Sequence, residues 1–136
     1  MKYGEWRLVS LKDIISKEKA ITVSYNTSLS DAAKIMEEKG VDSVLVVKDN
    51  KIVGIFTEKD LVRAIVDNAS LNTPISNYMS TKLITAKVDE PIVAVAYKMV
   101  ESNIRHIPII NDQGNILGVA NIKDVLSLVL ASGAWP

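Results

Sequence analysis

The sequence contains no cysteine, which excludes disulfides, thiolate chemistry and cysteine zinc sites. It has a single histidine, His106, and shows no nucleophile-elbow, phosphate-loop or metal-ligand spacing. That leaves little material for an acid–base centre, so the chain is expected to be neither an enzyme nor a holder of metal or cofactor. Net charge is also missing. Sixteen basic residues cancel sixteen acidic ones, and with one Phe and no basic run nothing draws the chain to nucleic acid. The opening residues MKYGEWRLVS carry Lys2, Glu5 and Arg7 and no long apolar run, which argues against a signal peptide or a membrane span. A soluble, cytoplasmic protein is the expectation.

What is present is apolar material and order. The 136 residues are 48% apolar, enough for one compact domain or two very small ones. The dominant signal is an internal repeat. ITVSYNTSLSDAAKIMEEKGVDSVLVVKDNKIVGIFTEKDLVRAIV aligns with ITAKVDEPIVAVAYKMVESNIRHIPIINDQGNILGVANIKDVLSLVL. Ile21 and Thr22 fall on Ile84 and Thr85, and Met36 on Met99. After one extra residue in the second turn, Gly54 and Asp60 fall on Gly118 and Asp124. The lead-ins LKDIIS (11–16) and ISNYMS (75–80) match loosely as well.

Burial patterns repeat with the letters. Leu29, Ala32, Ala33 and Met36 share one helical face, as do Ile92, Val95, Ala96 and Met99. Ser28 and Asp31 signal the start of the first helix and Gly40 its stop, while Pro91 suits the first position of its counterpart. Apolar runs then flank the polar turns KDNK and NDQGN, which read as β-hairpins. Each copy is therefore a βαββα unit of mixed α/β (α+β) class. A half of about 60 residues is marginal alone. Two copies, 8–69 and 70–132, are expected to close on each other with pseudo-twofold symmetry as one globule. The terminal extensions 1–7 and 133–136 carry Trp6 and Trp135, expected to dock on the body.

Each copy ends in a Gly-apolar-x-Thr/Asn-x-x-Asp turn, GIFTEKD in the first and GVANIKD in the second. In the first, Thr57 and Asp60 stand three apart before the apolar helical pattern of Leu61, Val62 and Ile65. This is close to a capping box, and capping alone accounts for both residues. A helix start also offers unpaired amides and a positive dipole end to a phosphate, with an acid one turn in as an acceptor for ribose hydroxyls.

The doubled unit, over roughly residues 8 to 132, resembles a tandem pair of CBS domains, the module named after cystathionine β-synthase. The resemblance implies two clefts between the copies that hold adenosine compounds such as AMP, ADP, ATP or S-adenosylmethionine. It implies regulation of a separate, unidentified protein rather than catalysis. It further implies that each cleft joins the turn of one copy to the first strand and post-helix segment of the other. Thr57 and Asp60 would then be completed by Ile84, Thr85 and Ala86 and by Ile104, Arg105 and His106, giving an apolar purine wall, free backbone groups near Thr85 and two basic side chains for phosphate. The second cleft would combine Asn121 and Asp124 with Ile21, Thr22, Val23, Val41, Asp42 and Ser43. With an acid where the first has Arg105, it is the weaker expected site.

A ligand-free interaction scaffold is the rival reading. In the last helix Val125, Leu126 and Val129, matching Leu61, Val62 and Ile65, are assigned to the core. Leu128 and Leu130, with Ala64 and Val66, are left over as a homodimer face.

Overall fold

The computed structural model describes residues 11–15 and 20–132; Trp6, Trp135 and the extensions 1–7 and 133–136 lie outside the described residues. A 3-10 turn (Leu11–Asp13) comes first, followed by β1 (Thr22–Ser24), α1 (Leu29–Lys39), β2 (Ser43–Lys48), β3 (Lys51–Thr57) and α2 (Glu58–Val66). A second 3-10 turn (Ile75–Asn77) precedes β4 (Ala86–Lys87), α3 (Ile92–Glu101), β5 (His106–Ile110), β6 (Ile116–Asn121) and α4 (Ile122–Ser132). The βαββα order expected from sequence is present in both copies.

Each copy forms a three-stranded sheet, β1-β2-β3 or β4-β5-β6. The central strand, β2 or β5, pairs in parallel with the first strand and forms an antiparallel hairpin with the third. Even the irregularity repeats, with a register shift at Val46/Val47 and at Ile109/Ile110. The first hairpin closes on Asp49 and Asn50, both at positive φ, as its two-residue turn requires. In the second, Asn111 Oδ1 accepts from the N–H groups of Gln113 and Asn115, and Gly114 adopts φ 82°.

Local chemistry sets the helix ends. Ser28 caps α1 by accepting from the Asp31 N–H at 3.0 Å, and Gly40 ends it in the left-handed region at φ 63°. Asn103, the counterpart of Gly40, does the same for α3 at φ 54°. Pro91 sits one position earlier than expected, as the N-cap of α3.

The compact units divide the chain differently from the sequence repeat. Residues 20–83 form one unit, and residues 11–15 group with 84–132 in the other. Ile75, from the lead-in of the second copy, is fully buried with Leu29, Val44, Phe56 and Ala64 of the first. Leu11, from the lead-in of the first copy, is buried with Ala86, Val95, Met99 and Val125 of the second. Segment 70–80 is stitched down along its length: Leu29 N–H donates to the Thr73 carbonyl at 2.9 Å, Ile75 N–H to Thr27 at 2.8 Å, and Ile55 and Ser80 exchange both backbone bonds at 2.9 Å. Gly54 permits this approach, since a Cβ there would lie 2.7 Å from both Met79 Sδ and the Ser80 carbonyl oxygen.

The phase of two helices departs from expectation. Ala64 and Leu128, assigned to a dimer face, are 1% and 2% exposed, whereas Val62, Ile65 and Leu126, assigned to the core, are 60%, 60% and 39% exposed. The strand runs straight into the helix in both copies, and this fixes which stripe faces inward. That stripe is Asp60, Leu61 and Ala64 in α2, and Val125, Leu128 and Val129 in α4. Val66 and Leu130 are exposed, as assigned.

Candidate functional site: two strand-to-helix turns

In the first copy Thr57 is both the last residue of β3 and the N-cap of α2, in extended backbone at φ −124° and ψ 170°. Its N–H donates to Asp60 Oδ2 at 2.9 Å, and its hydroxyl donates to the same oxygen at 3.2 Å. The other carboxylate oxygen, Oδ1, lies 3.5 Å from Arg63 Nη2. Asp60 is 8% exposed and is the buried charged residue among those described. Its burial is tolerable because both oxygens have partners, one of them a cation.

The helix start is less open than a bare N-terminus. Glu58 N–H, the first amide of α2, donates to the Asp42 carbonyl at 3.1 Å. The second copy repeats this, with Ile122 N–H donating to the Arg105 carbonyl at 2.8 Å. Of the amides expected to be unpaired at each helix start, the first is therefore occupied in both copies.

The cap itself differs between the copies. Asn121 Oδ1 accepts from the Asp124 N–H, and Asn121 Nδ2 donates to Asp124 Oδ2, both at 2.9 Å. Asp124 is exposed, unlike Asp60. Arg63 has Ser127 as its counterpart, whose hydroxyl donates back to the Lys123 carbonyl, so a hydroxyl rather than a guanidinium stands one turn on from the second acid.

Strand register decides what stands beside each turn. Ser43 is paired with Thr57, and His106 with Asn121. Within its own unit, therefore, the Thr57 turn is flanked by Asp42 and Ser43, and the Asn121 turn by Arg105 and His106. Arg105 is exposed and His106 half-buried. Arg105 and His106 thus stand beside the second turn, whereas the cation beside the first is Arg63, on the helix itself.

The first strands supply apolar walls. Ala86 is buried in its unit's core, with Ile84 and Ile104 packed against it; Val23 is buried likewise, flanked by Ile21 and Val41. Thr22 is exposed and Thr85 half-buried. The Thr85 carbonyl, expected to be open to a purine edge, instead accepts from Lys98 Nζ at 2.8 Å. The same ammonium bonds Glu90 at 3.0 and 3.3 Å, and Glu90 also accepts from the Lys87 N–H. Lys98 gave one signal in the sequence, as the single charge inside the apolar stretch IVAVAYKMV. Its partner eight residues upstream was not readable. Among the described residues no group of three or more His, Asp or Glu is arranged to hold a metal ion, and no helix is long and apolar enough to cross a membrane.

The CBS domain family model matches residues 9–67 and again residues 75–131. The chain belongs to the CBS domain family. A CBS domain pair solved in complex with 5′-methylthioadenosine and S-adenosyl-L-methionine shares 34% identity with it at a TM-score of 0.77, covering 88% of this chain and 94% of that one. A conserved protein of Pyrococcus horikoshii matches at 32% identity and TM-score 0.77, covering 93% of each chain. An uncharacterized 17.7 kDa protein of Acidianus ambivalens is 31% identical over 85% of this chain and 71% of its own length. The L-aspartate semialdehyde sulfurtransferase of Methanocaldococcus jannaschii is 34% identical, but this CBS pair spans only 23% of that enzyme. The enzyme's name therefore describes much more chain than the part that matches.

Proposed function

We propose that this CBS pair is a regulatory, non-catalytic module that binds adenosine compounds at its strand-to-helix turns and passes their occupancy to a separate protein. One observation carries the reading: both turns place an acid at the third helical position, Asp60 or Asp124, held by its own N-cap residue. A carboxylate so fixed is an acceptor for the two hydroxyls of a ribose. The CBS pair at 34% identity, solved with two adenosyl compounds, supports the same ligand class.

The two turns are proposed to differ in the charge they accept. Arg105 and His106 flank Asn121 within their unit, which favours phosphate at the Asn121–Asp124 turn. Asp42 adjoins the Thr57 turn through its carbonyl, and the cation of that turn, Arg63, is taken up by Asp60 and the Tyr78 carbonyl, which favours the less anionic S-adenosylmethionine or 5′-methylthioadenosine there. The set expected from sequence, which joins Thr57 and Asp60 to Ile84, Thr85, Ala86, Ile104, Arg105 and His106 around one nucleotide, is the competing assignment.

Titration calorimetry with AMP, ATP and S-adenosylmethionine separates the two. Arg105→Ala should weaken AMP and ATP by about 1.5–3 kcal/mol, as expected for a lost hydrogen bond to a charged group, and leave S-adenosylmethionine unchanged. Under the present assignment the Arg105→Ala effect is coupled to Asp124→Ala and independent of Asp60→Ala; the reverse coupling restores the competing set. If no adenosine compound binds the wild type or raises its melting temperature, the sensor reading is lost.

A scaffold role has its own support in the exposed apolar residues Val62, Ile65 and Val66 of α2 and Leu126 and Leu130 of α4. We assign these faces to a homodimer. Sedimentation showing only monomer at micromolar concentration excludes it.

A further inference from the structure

Arg63 does more than flank Asp60. Its Nη2 donates to the Tyr78 carbonyl at 2.7 Å while standing 3.5 Å from Asp60 Oδ1, and its guanidinium lies 5.6 Å from the centroid of the Tyr78 ring. Tyr78 is held at its far end as well, its hydroxyl donating to Asp67 Oδ2 at 3.2 Å. Partial burial and that bond to Asp67 keep the hydroxyl above its ordinary titration range. Two residues on, Ser80 forms its bridge to Ile55, on the strand that leads into Thr57. From Tyr78 the chain runs on to Ile84, where the other compact unit resumes. One side chain thus touches the proposed ribose acceptor and the start of the segment that joins the two units.

We propose that Arg63 is a positioning residue that couples the state of the Asp60 carboxylate to the joining segment at Tyr78–Ser80. Its guanidinium is shared: stronger engagement with the carboxylate steadies the Tyr78 carbonyl, and loss of the carboxylate charge loosens it. A ribose hydroxyl arriving at Oδ1 competes for the same oxygen, so occupancy reaches the segment through Arg63 without moving the sheet. This ligand-driven half rests on the binding reading above; the coupling between Asp60, Arg63 and the segment does not. The second copy has no such device, because Ser127 stands where Arg63 would be.

Amide hydrogen exchange tests the coupling without any ligand. Met79 N–H is bonded to the Ile75 carbonyl and Ser80 N–H to Ile55, and their exchange reports local opening of the segment. Asp60→Asn keeps an acceptor for Thr57 but removes the charge; Arg63→Gln keeps the length but removes the cation. Each should speed exchange at Met79 and Ser80 several-fold while β2 amides stay slow, and the double variant should be no faster than either single. Effects that multiply, no effect of Asp60→Asn, or an equal rise in β2 overturn the proposal. In a second arm, saturating S-adenosylmethionine should alter exchange at Met79 and Ser80 in wild type and not in Arg63→Gln. A wild type that fails to bind it counts against the adenosine reading, and the ligand-free cycle still decides the role of Arg63.

Discussion

Asp60 Oδ2 receives both the backbone N–H and the hydroxyl of Thr57, at 2.9 and 3.2 Å, so the acid rather than the threonine is the hub of the first turn. Thr57→Ala removes the hydroxyl, and with it the contact to Asp60 Oδ2 and the threonine's half of the capping box, and should cost about 1 kcal/mol, the usual scale for a cap residue. Asp60→Ala strands the Thr57 amide and leaves Arg63 without its carboxylate, and should cost more, about 2 kcal/mol. Urea denaturation of both variants gives the order directly; equal losses would make Thr57 the hub after all.

Gly54 is required by proximity, not by backbone angle. Gly54→Ala drives a methyl against the Ser80 carbonyl, a backbone atom that can yield only if the bridge to Ile55 opens. The expected loss is about 1–3 kcal/mol, typical of overpacking. Gly40→Ala meets open space and bears only the cost of its left-handed backbone, about 1 kcal/mol. A thermal melt that ranks Gly40→Ala as the worse of the two contradicts this account.

Lys98 is tied to Thr85 and Glu90 across a partly exposed surface. Lys98→Met keeps the stem against the helix and removes the ammonium. The pair is a third exposed, so its loss should cost only about 1 kcal/mol. The informative readout is ligand affinity: with the Thr85 carbonyl released, binding of any ligand that donates to it should tighten. Unchanged affinity for every adenosine compound would place Thr85 outside the site.

The helix phases give a further contrast. Leu128→Ala opens a buried position and should lose about 2–5 kcal/mol, whereas Leu130→Ala, at an exposed one, should lose little. Leu130→Asp should leave the fold intact and shift the sedimentation profile toward monomer. The same variant sedimenting as wild type removes α4 from the assembly surface.

Element order was legible because each local signal had one structural outcome: Ser28 and Gly40 cap, Asp49 and Asn50 turn, and the apolar runs pair. The phase of α2 and α4 was not, since apolar residues occupy more than one face of each and periodicity cannot choose between Val62 and Ala64. The geometry of the strand-to-helix junction makes that choice. Contacts such as Lys98 with Thr85, or Arg63 with Tyr78, join residues 13 or 15 positions apart through side chains that look like ordinary surface cations in the sequence. Which basic residues stand near which turn was likewise hidden, because it depends on register, and pairing His106 with Asn121 requires the strands to be built.

The traded lead-ins have a consequence for anyone who cuts this gene. A scissor placed between residues 69 and 70, where the two halves of the text divide, would send Ile75 away with the wrong fragment and leave Phe56 and Leu29 facing a vacant groove. The other fragment would forfeit Leu11 in the same stroke. Fragments that follow the packing keep each plug with its socket: residues 19–83 retain Ile75 beside Phe56, and residues 84–136 continued into 1–18 retain Leu11 beside Ala86.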